Sequence, residues 1–125
     1  MEEFTRVAQA LSDETRLRII NLLFFSQCCV CEVMQALLIT QTRASRNLKI
    51  LYDAGFLKQR CDGLYTMYSI KDLKDGDFRL QMLGAVKKMS QGIRLMEDDL
   101  ARLRKAERVG FGCANKSKME PGYAR

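Results

Sequence analysis

The feature that most constrains this chain is an order: four short helix-like segments, then at once two short strand-like runs meeting at Asp62-Gly63. Residues 4–11, 14–25, 30–38 and 41–54 carry apolar side chains at helical spacing, with Leu17, Ile20 and Phe24 on one face of the second. Asp13 and Thr40 are suitable N-caps, and Gly55 offers a left-handed stop. After Gly55 the period becomes that of strands, over residues 57–61 and 64–70, and Asp-Gly between two such runs is a strong hairpin signal. A third helix, a tight turn through Ile39-Thr40, a fourth helix and a hairpin are the layout of a winged helix-turn-helix. The expected fold is therefore mainly α, with a two-stranded β-hairpin wing.

From Asp77 to about residue 108 the sequence predicts one long helix. Met82, Val86, Met89, Ile93, Met96, Leu100 and Leu103 step alternately by four and three, a heptad-like seam on a helix far longer than the usual 11–12 or so residues. A domain this small covers so long a stripe poorly by itself. The seam thus predicts a long C-terminal dimerisation helix, with Met89, Ile93 and Met96 at a homodimer interface and Phe4 beside them; the plain alternative is a long core helix. Residues 1–108 read as one DNA-binding and dimerisation domain. Residues 109–125 lack periodicity and read as a flexible tail containing Cys113.

Charge points the same way. The 125 residues carry a formal net charge of +6 and a pI of about 9.2, which suits a polyanion. On the fourth helix Ala44, Leu48 and Leu51 face inward, while Thr42, Ser45, Arg46 and Lys49 share another face and Gln41 and Arg43 stand at its exposed start. Between Thr40 and Gly63 there are five basic residues against two acidic ones. Gln41, Thr42, Ser45 and Arg46 are placed to approach base edges, and Arg43, Lys49 and Arg60 to approach phosphates. The alternative is an ordinary solvated helix face.

Three of the five cysteines fall in Ser26-Gln27-Cys28-Cys29-Val30-Cys31-Glu32-Val33, and the chain has no histidine. Clustered thiolates suit soft ions such as arsenite, antimonite, cadmium or lead. A thiol at a helix start is expected to have a lowered pKa. Positions i and i+2 of a helix point about 200° apart, so Cys29 and Cys31 can share an ion only if the helix starts after them or its first turn unwinds. A third sulfur can come from Cys28 or Cys113; Cys61, by the wing turn, reads as a bystander. Two other readings stay open: buried small hydrophobes, and a Cys-x-x-Cys dithiol doing redox work. Five cysteines with no charged-then-apolar opening segment point to a reducing cytoplasm. The longest apolar run, 19–25, is interrupted by Asn21 and too short to span a bilayer, so no membrane partner is expected. Without histidine, a Gly-rich phosphate loop or a carboxylate pair beyond surface-like Glu97-Asp98-Asp99, an enzyme is not expected.

Across residues 4–104 the chain resembles the ArsR/SmtB family of metal-responsive bacterial repressors. The resemblance rests on Leu11-Ser12-Asp13-Glu14-Thr15-Arg16-Leu17-Arg18-Ile19, Cys29-Val30-Cys31-Glu32-Val33, residues 40–57 and the Asp62-Gly63 wing. It implies a cytoplasmic homodimer that binds double-stranded operator DNA with inverted half-sites and lets go when an ion binds. Cys29 and Cys31 match the Cys-Val-Cys of the arsenic-sensing branch, which implies arsenite or antimonite as effector ligand and no catalytic cofactor. Met34 stands where a further cysteine is often found, and Asn47 where a histidine is common. The same fold sensing cadmium, lead or thiol oxidation is one alternative; a thiol metal carrier without DNA binding is another.

Overall fold

The computed structural model describes residues 1–108. In chain order these form α1 (Glu2–Ala10), α2 (Glu14–Phe25), α3 (Val30–Leu37), α4 (Gln41–Asp53), β1 (Leu57–Asp62), β2 (Tyr65–Ile70), α5 (Phe78–Ser90) and α6 (Arg94–Lys105). Three helix starts are capped by side-chain oxygens: Asp13 accepts from the Arg16 amide at 3.0 Å, Thr40 from Arg43 at 3.2 Å and Asp77 from Arg79 at 2.9 Å. The buried Ile19, Ile20, Leu22, Val33, Leu48, Leu51 and Phe56 draw α2, α3, α4 and the start of β1 around one core. The winged helix-turn-helix and the mainly helical class are as the sequence predicts.

The wing differs by one position from the expected turn. β1 and β2 pair antiparallel from Leu57↔Ile70 to Asp62↔Tyr65, so the two-residue loop is Gly63-Leu64 rather than Asp62-Gly63. Gly63 takes φ 62° at its first position, a conformation that strongly favours glycine there.

The larger difference lies in the C-terminal third. The predicted single long helix is broken at Gln91-Gly92-Ile93: Gln91 turns extended, Gly92 adopts φ 79°, and Ile93 caps the start of α6. The apolar stripe is real, but much of it faces its own protomer. Val86, Met96 and Leu103 are 7%, 5% and 5% exposed, because α5 packs on α2 and α6 folds back against α2 and α3. Met96 is thus a core residue and not part of a surface seam. Ile93 is half-buried, whereas Phe4 and Met89 stand out at 49% and 44% exposure, joined by Leu80 and Leu95. A heptad pattern cannot report such a fold-back, since its period survives the break.

No helix of the described residues is long and apolar enough to cross a membrane.

Candidate effector site and nucleic-acid interface

Cys29 lies outside the helix it precedes. It is the N-cap of α3, with extended backbone angles of φ −92° and ψ 172°, while Cys31 is in the first turn. That boundary removes the angular conflict between positions i and i+2. The two sulfurs come to 2.8 Å, both buried, against Tyr65, Met67 and Leu64 of the wing. Glu32 completes the helix start: its Oε1 accepts from the Cys29 amide at 3.0 Å, in a capping box with cysteine where serine or threonine usually stands. Glu32 is itself fully buried, and its Oε2 lies 3.5 Å from the Arg108 guanidinium.

The Cys29 thiol is pushed well above its ordinary value of 9.0, first by its hydrogen bond with Cys31, then by burial and the neighbouring Glu32 charge. The amide hydrogen bond from Glu32 offsets only part of this. The lowered pKa expected of a thiol at a helix start is therefore corrected: desolvation and the shared proton outweigh the helix terminus.

Cys28 goes elsewhere. Its backbone forms a bridge with Tyr68, donating at 3.0 Å and accepting at 2.8 Å, and its side chain packs in the main core with its sulfur 3.5 Å from the Ser26 carbonyl. Cys61 is exposed on β1 opposite Thr66. Cys113 lies outside the described residues. Among the described residues no group of three or more cysteine, histidine or carboxylate side chains is arranged to hold a metal ion.

The end of the described chain passes directly over this site. The Gln35 amide donates to the Glu107 carbonyl at 2.5 Å and accepts from the Glu107 amide at 3.0 Å. Tyr65 Oη donates to the Arg108 carbonyl at 2.9 Å, and the Arg108 guanidinium sits 5.8 Å over the Tyr65 ring. Gln35, Tyr65 and Arg108 were not legible as site residues. Only the Cys-x-x-Glu spacing of Glu32 carried a readable signal.

The other end of α3 feeds the recognition helix. Leu38 takes the left-handed conformation at φ 58°, and Ile39 and Thr40 lead into α4. On α4, Ala44 and Leu48 are buried, Ser45 is half-buried, and Gln41, Thr42, Arg43, Arg46 and Lys49 are exposed. Arg43 is anchored to α2 by a 2.9 Å hydrogen bond to Thr15 Oγ1, and Lys49 pairs with Asp53 at 2.9 Å. Asn47, turned inward, accepts from Arg16 at 2.9 Å and donates to the Arg43 carbonyl at 2.9 Å, so it braces the start of α4 against α2. Arg60 on the wing donates to Gln27 at 2.9 Å and lies 3.4 Å from Asp62.

Residues 13–59 match the family described as bacterial regulatory protein, arsR family. The chain is 30% identical over 73 residues to the arsenical resistance operon repressor of Bacillus subtilis, a match covering 58% of this chain and 70% of that protein. It is 34% identical over 71 residues to a cadmium resistance transcriptional regulatory protein, a CadC homolog from Staphylococcus aureus, covering 56% of this chain and 59% of that one. In structure it is similar to the homodimeric winged helix-turn-helix DNA-binding domain of a possible ArsR-family transcriptional regulator from Mycobacterium bovis. That match has a TM-score of 0.59 and 27% identity, and covers 70% of this chain and 78% of the other.

Proposed function

The chain belongs to the ArsR family of DNA-binding transcriptional regulators, and from that premise we propose an operator-bound homodimeric repressor released by arsenite or antimonite at Cys29 and Cys31. One observation carries the effector assignment: two buried sulfurs 2.8 Å apart, at the start of the helix that leads into α4. With metal–sulfur bonds of about 2.3 Å, two ligands at roughly right angles lie about 3.3 Å apart. The pair therefore opens by about half an ångström when it closes on one ion.

The protonation of Cys29 supports arsenite over a divalent cation. Neutral arsenous acid condenses with a thiol: an arsenic–sulfur bond forms, an arsenic–oxygen bond breaks, and the thiol proton leaves in water. A cadmium or lead ion must instead expel that proton to solvent, against the burial that holds it on Cys29. Cadmium sensing remains the second reading, favoured by the likeness to the CadC homolog.

Cys113 is the proposed third ligand. The Arg108 carbonyl is hydrogen-bonded to Tyr65, which packs on the thiol pair, and five further residues span up to about 17 Å. Cys28 packs into the core instead. Opening the pair disturbs the first turn of α3 and the wing residues Tyr65 and Met67 together, so both DNA-facing elements feel the ion. The ion must bind the DNA-free form more tightly, since only differential affinity moves the equilibrium.

Mobility shift on the protein's own promoter tests the proposal. Cys31→Ser is expected to bind DNA and to stay bound when arsenite is added, and Cys113→Ser to respond weakly while Cys28→Ser responds as wild type. Release of Cys31→Ser by arsenite at the wild-type concentration would remove the pair from the mechanism. Release of the wild type by an oxidant alone would favour dithiol oxidation instead.

A further inference from the structure

The apolar run at the end of α2 is interrupted by Asn21, which nothing in the effector or DNA sites uses. Asn21 is 6% exposed, and among the described residues its side-chain amide has no hydrogen-bond partner. It opens into a cleft of 280 Å³ at the elbow between α5 and α6, where the chain breaks at Gly92. Phe24, Met96 and Leu100 wall this cleft. Phe25, 66% exposed, and Leu100 continue it into a second cleft of 390 Å³ that ends at Arg104. Together these match the size and mostly apolar lining of small-molecule pockets, with a few polar groups at one end.

The polar end carries a positioned cation. Lys87 holds its ammonium 5.7 Å over the Phe24 ring, and among the described residues it has no carboxylate partner. Glu97 is the opposing charge at the rim, exposed and solvated. On α5, Lys87 stands two turns from exposed Leu80 and about 20° from it around the helix, so the mouth of the cleft adjoins the face that carries Leu80.

We propose that this cleft is a binding site for a small organic carboxylate with an apolar, aromatic-sized body. The carboxylate meets the Lys87 ammonium and the Asn21 amide N–H, and the body lies against Phe25 and Leu100. The ligand is distinct in chemistry and place from the ion at Cys29 and Cys31.

Phenylacetate is the probe, titrated into the full-length protein by calorimetry and by amide NMR, with benzylamine and phenylalanine as charge-altered counterparts. Saturable phenylacetate binding is expected, with shifts confined to residues around 21–25, 87–92 and 96–104. Asn21→Leu and Lys87→Gln are each expected to weaken it by about tenfold, the loss of a hydrogen bond to a charged group. Wild-type phenylacetate affinity in both variants, or no binding up to its solubility limit, overturns the proposal. So does tighter binding of benzylamine, since that places the recognising charge on Glu97. Circular dichroism and the urea midpoint of Asn21→Leu, expected close to wild type, separate weakened binding from a folding defect. Arsenite binding at the thiols is read separately and is expected to be unchanged.

Discussion

Arg18 grips Asp99 with two hydrogen bonds, of 2.9 Å from Nε and 2.7 Å from Nη2, and Asp99 is fully buried. Arg102 adds a third at 2.9 Å. Both arginines also donate to the last carbonyls of α3, Arg18 to Leu37 at 3.3 Å and Arg102 to Ala36 at 2.7 Å. With the Gln35–Glu107 clamp beside them, the last turn of α3 is held to α6 and to the segment that follows it. The hydrogen bond to Asp99 is what raises the Arg18 pKa, against the desolvation of its charge. Replacing Asp99 by Ala strands two guanidinium groups at a buried boundary, and breaking such a pair costs about 3–5 kcal/mol. Urea unfolding is expected to show a lower midpoint with an unchanged slope; a loss under about 1 kcal/mol would mean that the network relaxes onto solvent.

The dimer follows from what is left uncovered. Phe4 and Phe78 pack at 5.2 Å between ring centres, so α1 and α5 adjoin, with Leu80, Gly84 and Met89 exposed along α5. Leu80→Glu is expected to give folded monomers that bind operator poorly. Met96→Glu, by contrast, buries a charge in the protomer and is expected to unfold it. Sedimentation with circular dichroism separates the two outcomes. A dimeric Leu80→Glu would move the interface off this face.

Much of this was legible because it is local. Thr40, the inward spacing of Ala44, Leu48 and Leu51, and the strand runs beside Gly63 each follow from backbone preferences within a few residues. The elbow at Gly92 was not, because the stripe through Val86, Met96 and Leu103 keeps its period whichever protein surface it meets. Nor could any spacing show that Cys28 and Cys29 point into different clusters, or that Glu107 and Arg108 return over the thiols. Those are long-range facts, fixed by α6 docking on α3 through Asp99.

On the recognition helix the exposed Arg46 and Lys49 separate two kinds of contact. Removing Arg46 is expected to cost about 1–3 kcal/mol on operator and to relax specificity, as for a bidentate guanine contact. Lys49, already paired with Asp53 at 2.9 Å, is expected to weaken all sequences alike and lower the salt slope by about one. Equal losses on operator and random DNA for Arg46→Ala would place it on phosphate.

Leu38 is the one non-glycine residue with positive φ among the described residues, at φ 58°, and its side chain is 71% exposed. A branched side chain in the left-handed region costs roughly 1 kcal/mol or more, and this one recovers little by burial. Leu38→Gly or Leu38→Asn is therefore expected to raise stability by a few tenths to about 1 kcal/mol, read from the urea midpoint. A loss instead would show that the Leu38 side chain stabilises the turn between α3 and α4.

The pH dependence of effector binding distinguishes the candidate ions. The Cys29 thiol stays protonated above its ordinary value of 9.0, so at neutral pH it meets any ligand carrying its proton. A divalent cation that displaces it is expected to gain about tenfold in affinity per pH unit for each proton released. Arsenous acid removes the same proton as water and releases none, so its affinity is expected to be flat between about pH 6 and 8. The same shift acts on folding with a definite sign. A thiol whose folded pKa is raised contributes stability below 9.0, and that stability is lost as rising pH ionises the unfolded chain. Calorimetry in buffers of different ionisation enthalpy counts the protons directly. A count of zero for arsenite with one or more for cadmium is the expected result. Protons taken up on arsenite binding, to carry off the displaced hydroxide as water, would mean that Cys29 is already a thiolate and that burial does not set the choice of ion.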